Sequence, residues 1–527
     1  MNCGRTSVDM TEFEADVLVL GGGPAGCWAA LAAAARGARV LVVDKARAGA
    51  SGPTACGTVS LWNLPPGPAR DEAVRQGFAG GKGLGDPEWM YRVLDETHRR
   101  VEQLVRRGFR VDGEPVAGPT RVVLDGAKYL GRMRRSMVIA GVRILDRHPA
   151  LQLLTDRDGL VSGAAGIALA KGHRTWTARA AAVVVATGGC AFLSGGAGTD
   201  VDTGDGLLMA AEAGAELSGM EFSSAYALAP TGVAGAPAVF APDLLMYLAT
   251  LHDERSAGGG REFGSRAEAF AAIADGRRVY ALADDLPDAL RTQLIRAGGL
   301  DAAGRVPLRA VLEGTVRGTG GLRLTGPDCG TNLPGLFGAG DVTTREPITG
   351  AVSGFGGQNG AWAISSGVWS GAAAARFARE RRKIGKTRAV PGAGLGARSG
   401  IDPRAVVGLV QEHTLPLRRS YWRSEGSLRD SIGELDGVWP GVRFDLGGGG
   451  ADRLRARQAA ALLAVARWTK YSALARTETR GMHRRTDHPG RSRAGRVRLV
   501  SGGLDSVWVR SDRSAANTAV GELTAAE

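Results

Sequence analysis

Three glycines near the start of the chain have the spacing that brings a phosphate group close to the backbone. They are Gly21, Gly23 and Gly26, and they follow an apolar run over residues 16–20. An alanine-rich stretch comes next, so the order predicts a strand, a tight turn and a helix. Gly21 permits the turn, Gly23 lets a pyrophosphate approach, and Gly26 lets the helix pack against the strand. The positive amino end of the helix then faces the phosphates.

A second apolar run places an acidic side chain where it can accept the hydroxyls of a ribose. The run covers residues 39–43, and Asp44 stands at its carboxyl end. A glycine motif alone is weak evidence in a chain with 80 glycines. The terminal acid and the flanking strands favour a dinucleotide site over a glycine-rich turn in an unrelated α/β sheet. Pro24, Ala25 and Lys45 border the same turn and are further candidates for cofactor contact.

Two later segments predict further returns to the same sheet. A buried strand ends in Ala186, Thr187 and Gly188, and the segment 335–341, GLFGAGD, closes a third strand before a long helix. The first motif does not choose between FAD and NAD. The ATGG turn and the late GLFGAGD resemble the two-dinucleotide type of flavoprotein, in which the late acidic residue meets the ribityl chain of FAD. That resemblance indicates FAD and not NAD as the bound dinucleotide.

Four segments narrow the resemblance to the fumarate reductase and succinate dehydrogenase flavoprotein superfamily. This superfamily also contains L-aspartate oxidase and the α subunit of adenylylsulfate reductase. The chain is identified as a member because the order and spacing match from about residue 14 to 490. The last segment looks like the RxESRGxHxRxD signature of the superfamily. The segments are SGPTACG at 51–57, TGDG at 203–206 with MEF at 220–222, GTGGL at 318–322, and RTETRGMH at 476–483 with Asp487.

The resemblance implies how the remaining cofactor residues act. Ser51, Thr54 and Gly57 resemble the loop that passes beside the pyrophosphate and the flavin ring. In several relatives a histidine directly after the serine is covalently attached to the flavin. This chain has Gly52 at that position, so the resemblance implies FAD that is not covalently bound.

Two acids and two neighbouring residues complete the predicted cofactor contacts. Asp205 resembles the family acid that supports the cofactor after the ATGG turn, and Asp341 stands where many relatives have glutamate. Each acid could instead cap a helix. Gly340 and Asn359 are expected to lie near the flavin.

The substrate side departs from the dicarboxylate enzymes of the superfamily, which present histidines and arginines to two carboxylates. The position of the expected QFHP histidine holds Tyr226, and Val316 or Arg317 replaces the histidine before the GTGG turn. The arginine expected ahead of the late GGN motif falls among residues 353–355. Chemistry on succinate is therefore not expected.

Four residues near the expected flavin face are the candidate catalytic groups: Tyr226, Arg317, Arg345 and Glu346. Each has a structural alternative. Tyr226 could be a buried aromatic with a bonded hydroxyl, and Arg317 a solvated turn residue. Arg345 and Glu346 could form an exposed ion pair of under about 1 kcal/mol. His252 and Arg261 lie in the shortened cap and have no clear role.

Composition favours an ordinary globular protein of 527 residues with a net charge of +13. The basic residues are scattered, so an anionic small molecule is a better partner than a nucleic acid. No cysteine pair has the spacing of a disulfide framework, a metal site or an iron–sulfur site. The absence of an apolar leader and of a long apolar run predicts a cytoplasmic protein that does not insert into a membrane.

The expected fold class is α/β: a Rossmann-like FAD-binding domain, an inserted small α+β capping domain and a C-terminal helical domain. Helical spacing over 406–413 and 454–468 supports the last of these, and 496–510 predicts a terminal strand. The expected parts are 14–225 (FAD-binding, first part), 226–305 (shortened capping domain), 306–380 (FAD-binding, second part), 381–402 (linker), 403–512 (helical domain) and 513–527 (mobile tail).

The predicted function is an FAD-dependent oxidoreductase that transfers a hydride between the flavin and a small anionic substrate. Because no cysteine cluster can carry electrons onward, reoxidation needs oxygen, a soluble carrier or an iron–sulfur partner protein. One alternative is the flavin subunit of an electron-transfer complex, similar to the adenylylsulfate reductase α subunit. Another is a flavin-binding protein without catalysis. The substrate, the reaction direction, the electron acceptor, the oligomeric state and the catalytic acid or base stay open.

Overall fold

The computed structural model describes residues 10–106, 108–109, 121–170, 172–231, 251–253, 262–282, 288–296, 298–354, 357–381 and 383–512. The strands in this part of the chain are β1 (Thr11–Leu20), β2 (Val40–Val43), β3 (Thr58–Trp62), β4 (Arg121–Asp125), β5 (Arg143–Leu145), β6 (Ala150–Thr155), β7 (Val161–Ile167), β8 (Thr175–Val185), β9 (Leu217–Ser218), β10 (Ala225–Pro230), β11 (Leu251–Asp253), β12 (Val279–Leu282), β13 (Arg305–Glu313), β14 (Gly321–Leu322), β15 (Leu336–Gly338), β16 (Arg388–Ala389), β17 (Leu499–Gly502) and β18 (Trp508–Ser511).

The α-helices in the same part are α1 (Pro24–Ala34), α2 (Pro68–Gly80), α3 (Pro87–Arg106), α4 (Gly126–Ile139), α5 (Asp205–Glu212), α6 (Arg266–Ala274), α7 (Asp288–Arg296), α8 (Gly314–Arg317), α9 (Glu346–Thr349), α10 (Gln358–Arg381), α11 (Pro403–Thr414), α12 (Leu417–Ser420), α13 (Glu425–Phe444) and α14 (Ala451–Ala475). None of these helices is long and apolar enough to cross a membrane.

A central sheet in the order β16-β6-β7-β8-β1-β2-β5, with β15 beside β8, organises the molecule. β1 runs parallel to β2 and β8, and β8 runs parallel to β15. In this register Leu20 lies opposite both Val43 and Val185, and Val185 lies opposite Gly338. The carboxyl ends of these strands therefore meet at one edge, which is where open α/β sheets bind ligands. The predicted α/β fold class is confirmed.

Small residues let two helices approach closely over this sheet. Cβ atoms at Gly367 and Gly371 of α10 would lie 2.5 Å and 2.1 Å from the carbonyl oxygens of Ala25 and Ala29 in α1. Any larger side chain at these two glycines would push the helices apart, because a Cβ needs more than 3 Å. The packing of α10 fixes the position of the late glycine segments relative to the first turn.

A separate antiparallel sheet in the order β10-β13-β12-β11 forms the cap over the carboxyl edge of the central sheet. Its apolar side is covered by α6, with Phe270 and Ala269 buried. The two ends of the predicted cap fall at Tyr226, inside β10, and at Arg305, the first residue of β13. The exact domain boundaries stay predictions.

The C-terminal part is helical, as expected: the predicted helices at 406–413 and 454–468 lie within α11 and α14. The prediction of one terminal strand over 496–510 was wrong, because β17 and β18 form an antiparallel hairpin instead. In the predicted linker, β16 pairs with β6, and Val390 and Ala393 are buried. The predicted tail at 513–527 lies outside the described residues.

Candidate active site

A cavity of about 840 Å³ runs along the carboxyl edge of the central sheet and under the cap. Its walls come from distant parts of the chain that the sheet brings together. The backbone amide of Gly21 donates to the carbonyl of Val43, that of Ala186 to Leu20, and that of Ala339 to Val185. The turns that follow four strands are thus held side by side at one end of the cavity.

Most of the predicted cofactor residues line this cavity. They are Gly21, Gly23, Pro24, Ala25, Asp44, Lys45, Ser51, Thr54, Ala186, Thr187, Gly188, Asp205, Gly340, Asp341 and Asn359. The two remaining residues lie behind the wall. A Cβ at Gly26 would be 1.9 Å from the carbonyl oxygen of Gly21, which fits its predicted packing role. The carbonyl of Gly57 accepts the amide of Gly126 at 2.9 Å.

The glycine turn leaves room at the amino end of α1. Gly21 has φ +102°, and a Cβ there would lie 2.3 Å from the carbonyl oxygen of Ala186. At Gly23, by contrast, a Cβ would meet no heavy atom within 4 Å. The helix begins at Pro24 and has no side-chain cap. Its free amide groups and positive dipole end therefore face open space that suits a pyrophosphate.

Asp44 is held in place by the backbone, as a ribose-binding acid needs to be. One carboxylate oxygen accepts the amide of Gly22 and the other accepts the amide of Ala46, both at 2.7 Å. The residue is 8% exposed and lines the cavity. Each oxygen keeps a lone pair for a ribose hydroxyl.

Lys45 and Asp205 form an ion pair on the same wall. The Lys45 ammonium donates to the Asp205 carboxylate and to the Thr203 hydroxyl, each at 2.6 Å. Asp205 is the first residue of α5, but its side chain makes no cap hydrogen bond. The alternative that Asp205 acts as a helix cap is therefore wrong, because its carboxylate is bound to Lys45 and Thr203.

Several buried polar atoms at this end lack a partner within the described part of the chain. Both polar atoms of the Asn359 amide, the Thr187 hydroxyl and one Asp202 carboxylate oxygen are in this state. Buried polar groups are nearly always hydrogen-bonded, so unpaired ones on a cavity wall indicate a ligand. FAD carries hydroxyls, phosphates and ring nitrogen and oxygen atoms that match these groups. The residues present fit the predicted cofactor.

Asp202 is a buried acid on the cavity wall. Burial, followed by the charge of nearby Asp341, raises the pKa of Asp202 well above its usual value. Burial therefore favours the protonated form, in which the carboxyl group can donate a hydrogen bond.

Gly52 has a backbone that a histidine would adopt only with strain. Its φ is +83°, in the left-handed region. It lies on the cavity wall between Ser51 and Pro53. A residue without a side chain offers no atom for attachment to the flavin, and non-covalent binding of FAD stays a prediction.

Arg345 and Glu346 are fully buried, so the alternative of an exposed ion pair is wrong. The guanidinium of Arg345 donates to the carbonyl of Thr315 at 2.5 Å, and also to the Gly318 carbonyl and the Asp341 carboxylate. Neither Arg345 nor Glu346 lines the cavity. Arg345 therefore acts on the site through Asp341 and the turn after α8.

Glu346 belongs to a buried pair of carboxylates. Ser218 donates to one of its oxygens at 2.5 Å, while the other oxygen has no partner among the described residues. Burial and the charge of Glu221 raise the pKa of Glu346 to about 7. Glu221 in turn accepts from Arg476 at 2.9 Å. The pair is stable only when a proton or a cation offsets its charge.

Tyr226 and Arg317 line the far end of the cavity, under the cap. The Tyr226 hydroxyl donates to the backbone carbonyl of Leu415 at 2.9 Å, which favours the alternative of a buried, bonded aromatic. The Arg317 guanidinium lies 3.6 Å from the Glu313 carboxylate. His252 is in β11 and not on the cavity wall. Arg261 lies outside the described residues.

The wall residues that sequence reasoning missed include Tyr129, Asp202 and Arg484. Asp202 directly precedes the TGDG motif and Arg484 directly follows the RTETRGMH motif, so a neighbouring motif could have pointed to both residues. No motif lies beside Tyr129. Its hydroxyl accepts the indole of Trp28 at 2.7 Å, and its side chain is buried.

Family models match two parts of the chain. The FAD binding domain model matches residues 16–246, and the fumarate reductase flavoprotein C-terminal model matches residues 449–508. An L-aspartate oxidase of Streptomyces coelicolor is 32% identical over 40% of this chain and 39% of its own length. Another, from Halobacterium salinarum, is 33% identical over 39% of this chain and 44% of its own length. The chain spans about two fifths of the length of the L-aspartate oxidases it matches.

Solved structures match over nearly the whole chain at low identity. Quinol fumarate reductase of E. coli has a TM-score of 0.79 at 20% identity and covers 95% of this chain and 97% of its own. Adenylylsulfate reductase of Archaeoglobus fulgidus has a TM-score of 0.72 at 18% identity and covers 96% of each chain. The fold is therefore shared, and the predicted FAD cofactor is confirmed by the matching domain model. The chain therefore carries an FAD-binding domain at residues 16–246, and residues 449–508 resemble the C-terminal part of the fumarate reductase flavoproteins.

Proposed function

We propose that this protein is an FAD-dependent oxidoreductase that acts by hydride transfer on a small anionic molecule. The observation that carries the proposal is the continuity of the cavity. One end holds the cofactor residues Asp44 and Asn359, and the other holds the cationic side chains of Arg317 and Arg484. When bound, FAD supplies an acceptor for two electrons as a hydride. Because the cavity is continuous, a substrate held by Arg317 and Arg484 would contact the flavin directly, with no protein wall between them.

The residues of this chain position the two reactants. Asp44 and the amino end of α1 orient the ADP half of the cofactor. Arg345 donates hydrogen bonds to Asp341 and to the turn after α8. These bonds fix the cavity wall between the cofactor end and the cationic end. Arg317 and Arg484 attract an anion and fix its orientation. Such positioning accounts for a large part of the rate enhancement in a two-substrate step.

A second candidate is the flavin subunit of an electron-transfer complex. The described cysteines Cys27, Cys190 and Cys329 form no disulfide bond. No group of three metal-ligating side chains occurs among the described residues. Electrons would then leave through oxygen, a soluble carrier or an iron–sulfur partner protein. The third alternative, flavin binding without catalysis, and the cytoplasmic location stay predictions.

Anaerobic reduction of the flavin tests the function. Purified protein reconstituted with FAD is mixed with small anionic substrates under argon, and the flavin absorbance is followed. We expect one substrate to bleach the absorbance and air to restore it if oxygen is the acceptor. Bleaching without recovery in air favours the role within a larger complex. If dithionite reduces the yellow protein but no anionic substrate does, the proposal is contradicted.

Acid precipitation tests how the cofactor is attached. Because Gly52 offers no side chain, we expect trichloroacetic acid to release all the yellow colour into the supernatant. Absorbance at the flavin maximum measures how much flavin is in the supernatant and how much is in the pellet. Colour that stays with the precipitated chain contradicts non-covalent binding.

A further inference from the structure

The substrate end of the cavity has an aromatic wall. Tyr226 comes from β10, Phe270 from α6 and Tyr421 from the residue after α12, and all three line the cavity. The ring centroids of Phe270 and Tyr421 are 5.0 Å apart, and those of Tyr226 and Tyr421 are 5.8 Å apart. Since the Tyr226 hydroxyl is bound to a backbone carbonyl, the wall presents ring surface more than polar groups.

Arg484 lies beside this wall and forms no ion pair with a carboxylate of the described residues. The guanidinium carbon of Arg484 lies 4.0 Å from the centroid of the Tyr421 ring. The guanidinium donates to the carbonyl of Met482 at 3.3 Å. Among the described residues, no Asp or Glu forms an ion pair with it. A half-buried cation without a counter-ion has lost part of its hydration, and an anionic ligand offsets that loss.

The other cations on the cavity wall are paired or exposed. Lys45 is bound to Asp205 at 2.6 Å, and Arg317 lies 3.6 Å from Glu313. Lys82 and Arg266 are exposed to solvent, where salt and water screen a charge. Arg484 is therefore the strongest anion site at this end of the described cavity.

We propose that the substrate is a monoanion with an apolar body the size of a phenyl ring. Arg484 would hold its carboxylate or equivalent anion, and the ring surface of Phe270 and Tyr421 would pack against its apolar body. A dicarboxylate fits less well because its second charge would lie against the aromatic wall and lose its hydration. This substrate class rests on the proposed function of the same cavity.

Binding to the oxidised holoprotein tests the substrate class without turnover. The probes are cinnamate, an aromatic monoanion; fumarate, a dianion; and cinnamyl alcohol, the uncharged counterpart of cinnamate. The perturbation of the flavin absorbance gives each dissociation constant. We expect cinnamate to bind at least tenfold more tightly than both fumarate and cinnamyl alcohol. Tighter binding of fumarate, or no difference between cinnamate and its alcohol, overturns the proposal.

The Arg484→Gln variant tests the anion site. We expect its dissociation constant for cinnamate to rise about 10- to 100-fold, since hydrogen bonds to charged groups contribute about 1.5–3 kcal/mol. Arg484→Lys keeps the charge and should recover part of the affinity. Arg455→Gln on the exposed face of α14 removes one positive charge elsewhere and should leave the affinity unchanged. An equal loss in Arg455→Gln, or none in Arg484→Gln, overturns the assignment.

The experiments distinguish a wrong substrate class from a wrong function. A yellow protein that anionic substrates reduce, but that prefers dicarboxylates, overturns the substrate class alone. A colourless protein that FAD does not reconstitute overturns both. The wild-type comparison of the three probes needs no variant, so misfolding of a substituted chain does not decide the result.

Discussion

At the scale of single residues, the amide of Asn359 stands out because it has no hydrogen bond within the described part of the chain. Both its nitrogen and its oxygen are buried and have no partner among the described residues. The side chain lines the cofactor end of the cavity. A buried amide that the protein does not satisfy favours the state in which a ligand does.

Replacing Asn359 should therefore weaken FAD binding more than it weakens the fold. For Asn359→Ala we expect the dissociation constant of FAD to rise roughly 10- to 100-fold, because about 1–3 kcal/mol of hydrogen bonding is lost. The urea midpoint of the apoprotein should fall little, since the amide makes no hydrogen bond to the described residues. Quenching of FAD fluorescence on titration of the apoprotein measures the affinity.

Asn332→Ala is the matched control for that experiment. Its amide donates to the carbonyl of Gly214 and accepts the amide of Glu216, on an exposed surface. This substitution should lower the urea midpoint and leave FAD affinity unchanged. If Asn359→Ala behaves in the same way, the amide serves the fold and not the cofactor.

At the scale of the elements, local sequence predicts some parts of the site and not others. The turn from β1 into α1 was predictable because the apolar run, the glycine spacing and the alanine-rich helix all lie within residues 16–36. For Arg345 and Glu346 the sequence left open a catalytic role near the flavin or an exposed ion pair, and it did not predict that both would be fully buried behind the cavity wall. Their burial is a tertiary property, because Arg345 donates to carbonyls in and directly after α8 and Glu346 accepts from Ser218 of β9. Neither contact leaves a periodic signal in the sequence.

Glu346 is the first residue of the short helix α9. Its carboxyl group should make the unfolding free energy of the protein depend on pH. The folded state raises the pKa of Glu346 to about 7, through burial and then the charge of Glu221. The folded chain therefore binds this proton more tightly than the unfolded chain does. As pH rises from the usual pKa of a glutamate through about 7, that contribution to the unfolding free energy is lost.

Glu346→Gln should remove this dependence because an amide does not ionise. Urea unfolding at pH 5, 6, 7 and 8 measures it. We expect the wild type to lose stability relative to Glu346→Gln as pH rises across this range. Glu425→Gln, at the exposed start of α13, should keep the slope of the wild type. Parallel curves for the wild type and Glu346→Gln would mean that the proton is held elsewhere.

At the scale of the whole molecule, the cavity exists only where three parts of the chain meet. Asp44 comes from the central sheet, Phe270 from the cap and Arg484 from the segment after α14. The motif RTETRGMH was predictable as a signature. The structure adds that Arg476, the first residue of this motif, forms ion pairs with Glu221 and Glu478. Arg484 was missed because only the assembled fold brings it to the cap.

Arg476 should be the residue that holds the C-terminal segment against the FAD-binding domain. It is 3% exposed and donates to the Glu221 and Glu478 carboxylates, and to the carbonyls of Gly495 and Val497. Its charge also offsets the Glu221 and Glu346 carboxylates. Removing one partner of a buried ion pair leaves the other charge unpaired, which costs about 3–5 kcal/mol.

For Arg476→Gln we therefore expect the unfolding free energy to fall by about 3–5 kcal/mol, whereas Arg455→Gln on the exposed face of α14 stays near the wild type. The loss should be smaller at pH 5.5 than at pH 8, because protonation of Glu346 relieves the repulsion that Arg476 otherwise offsets. Urea unfolding at both pH values measures the difference. Saturating FAD should restore part of the stability of Arg476→Gln, because a ligand that binds only the folded state stabilises it. A loss that is equal at both pH values would mean that the broken contacts are the two backbone carbonyls and not the carboxylates.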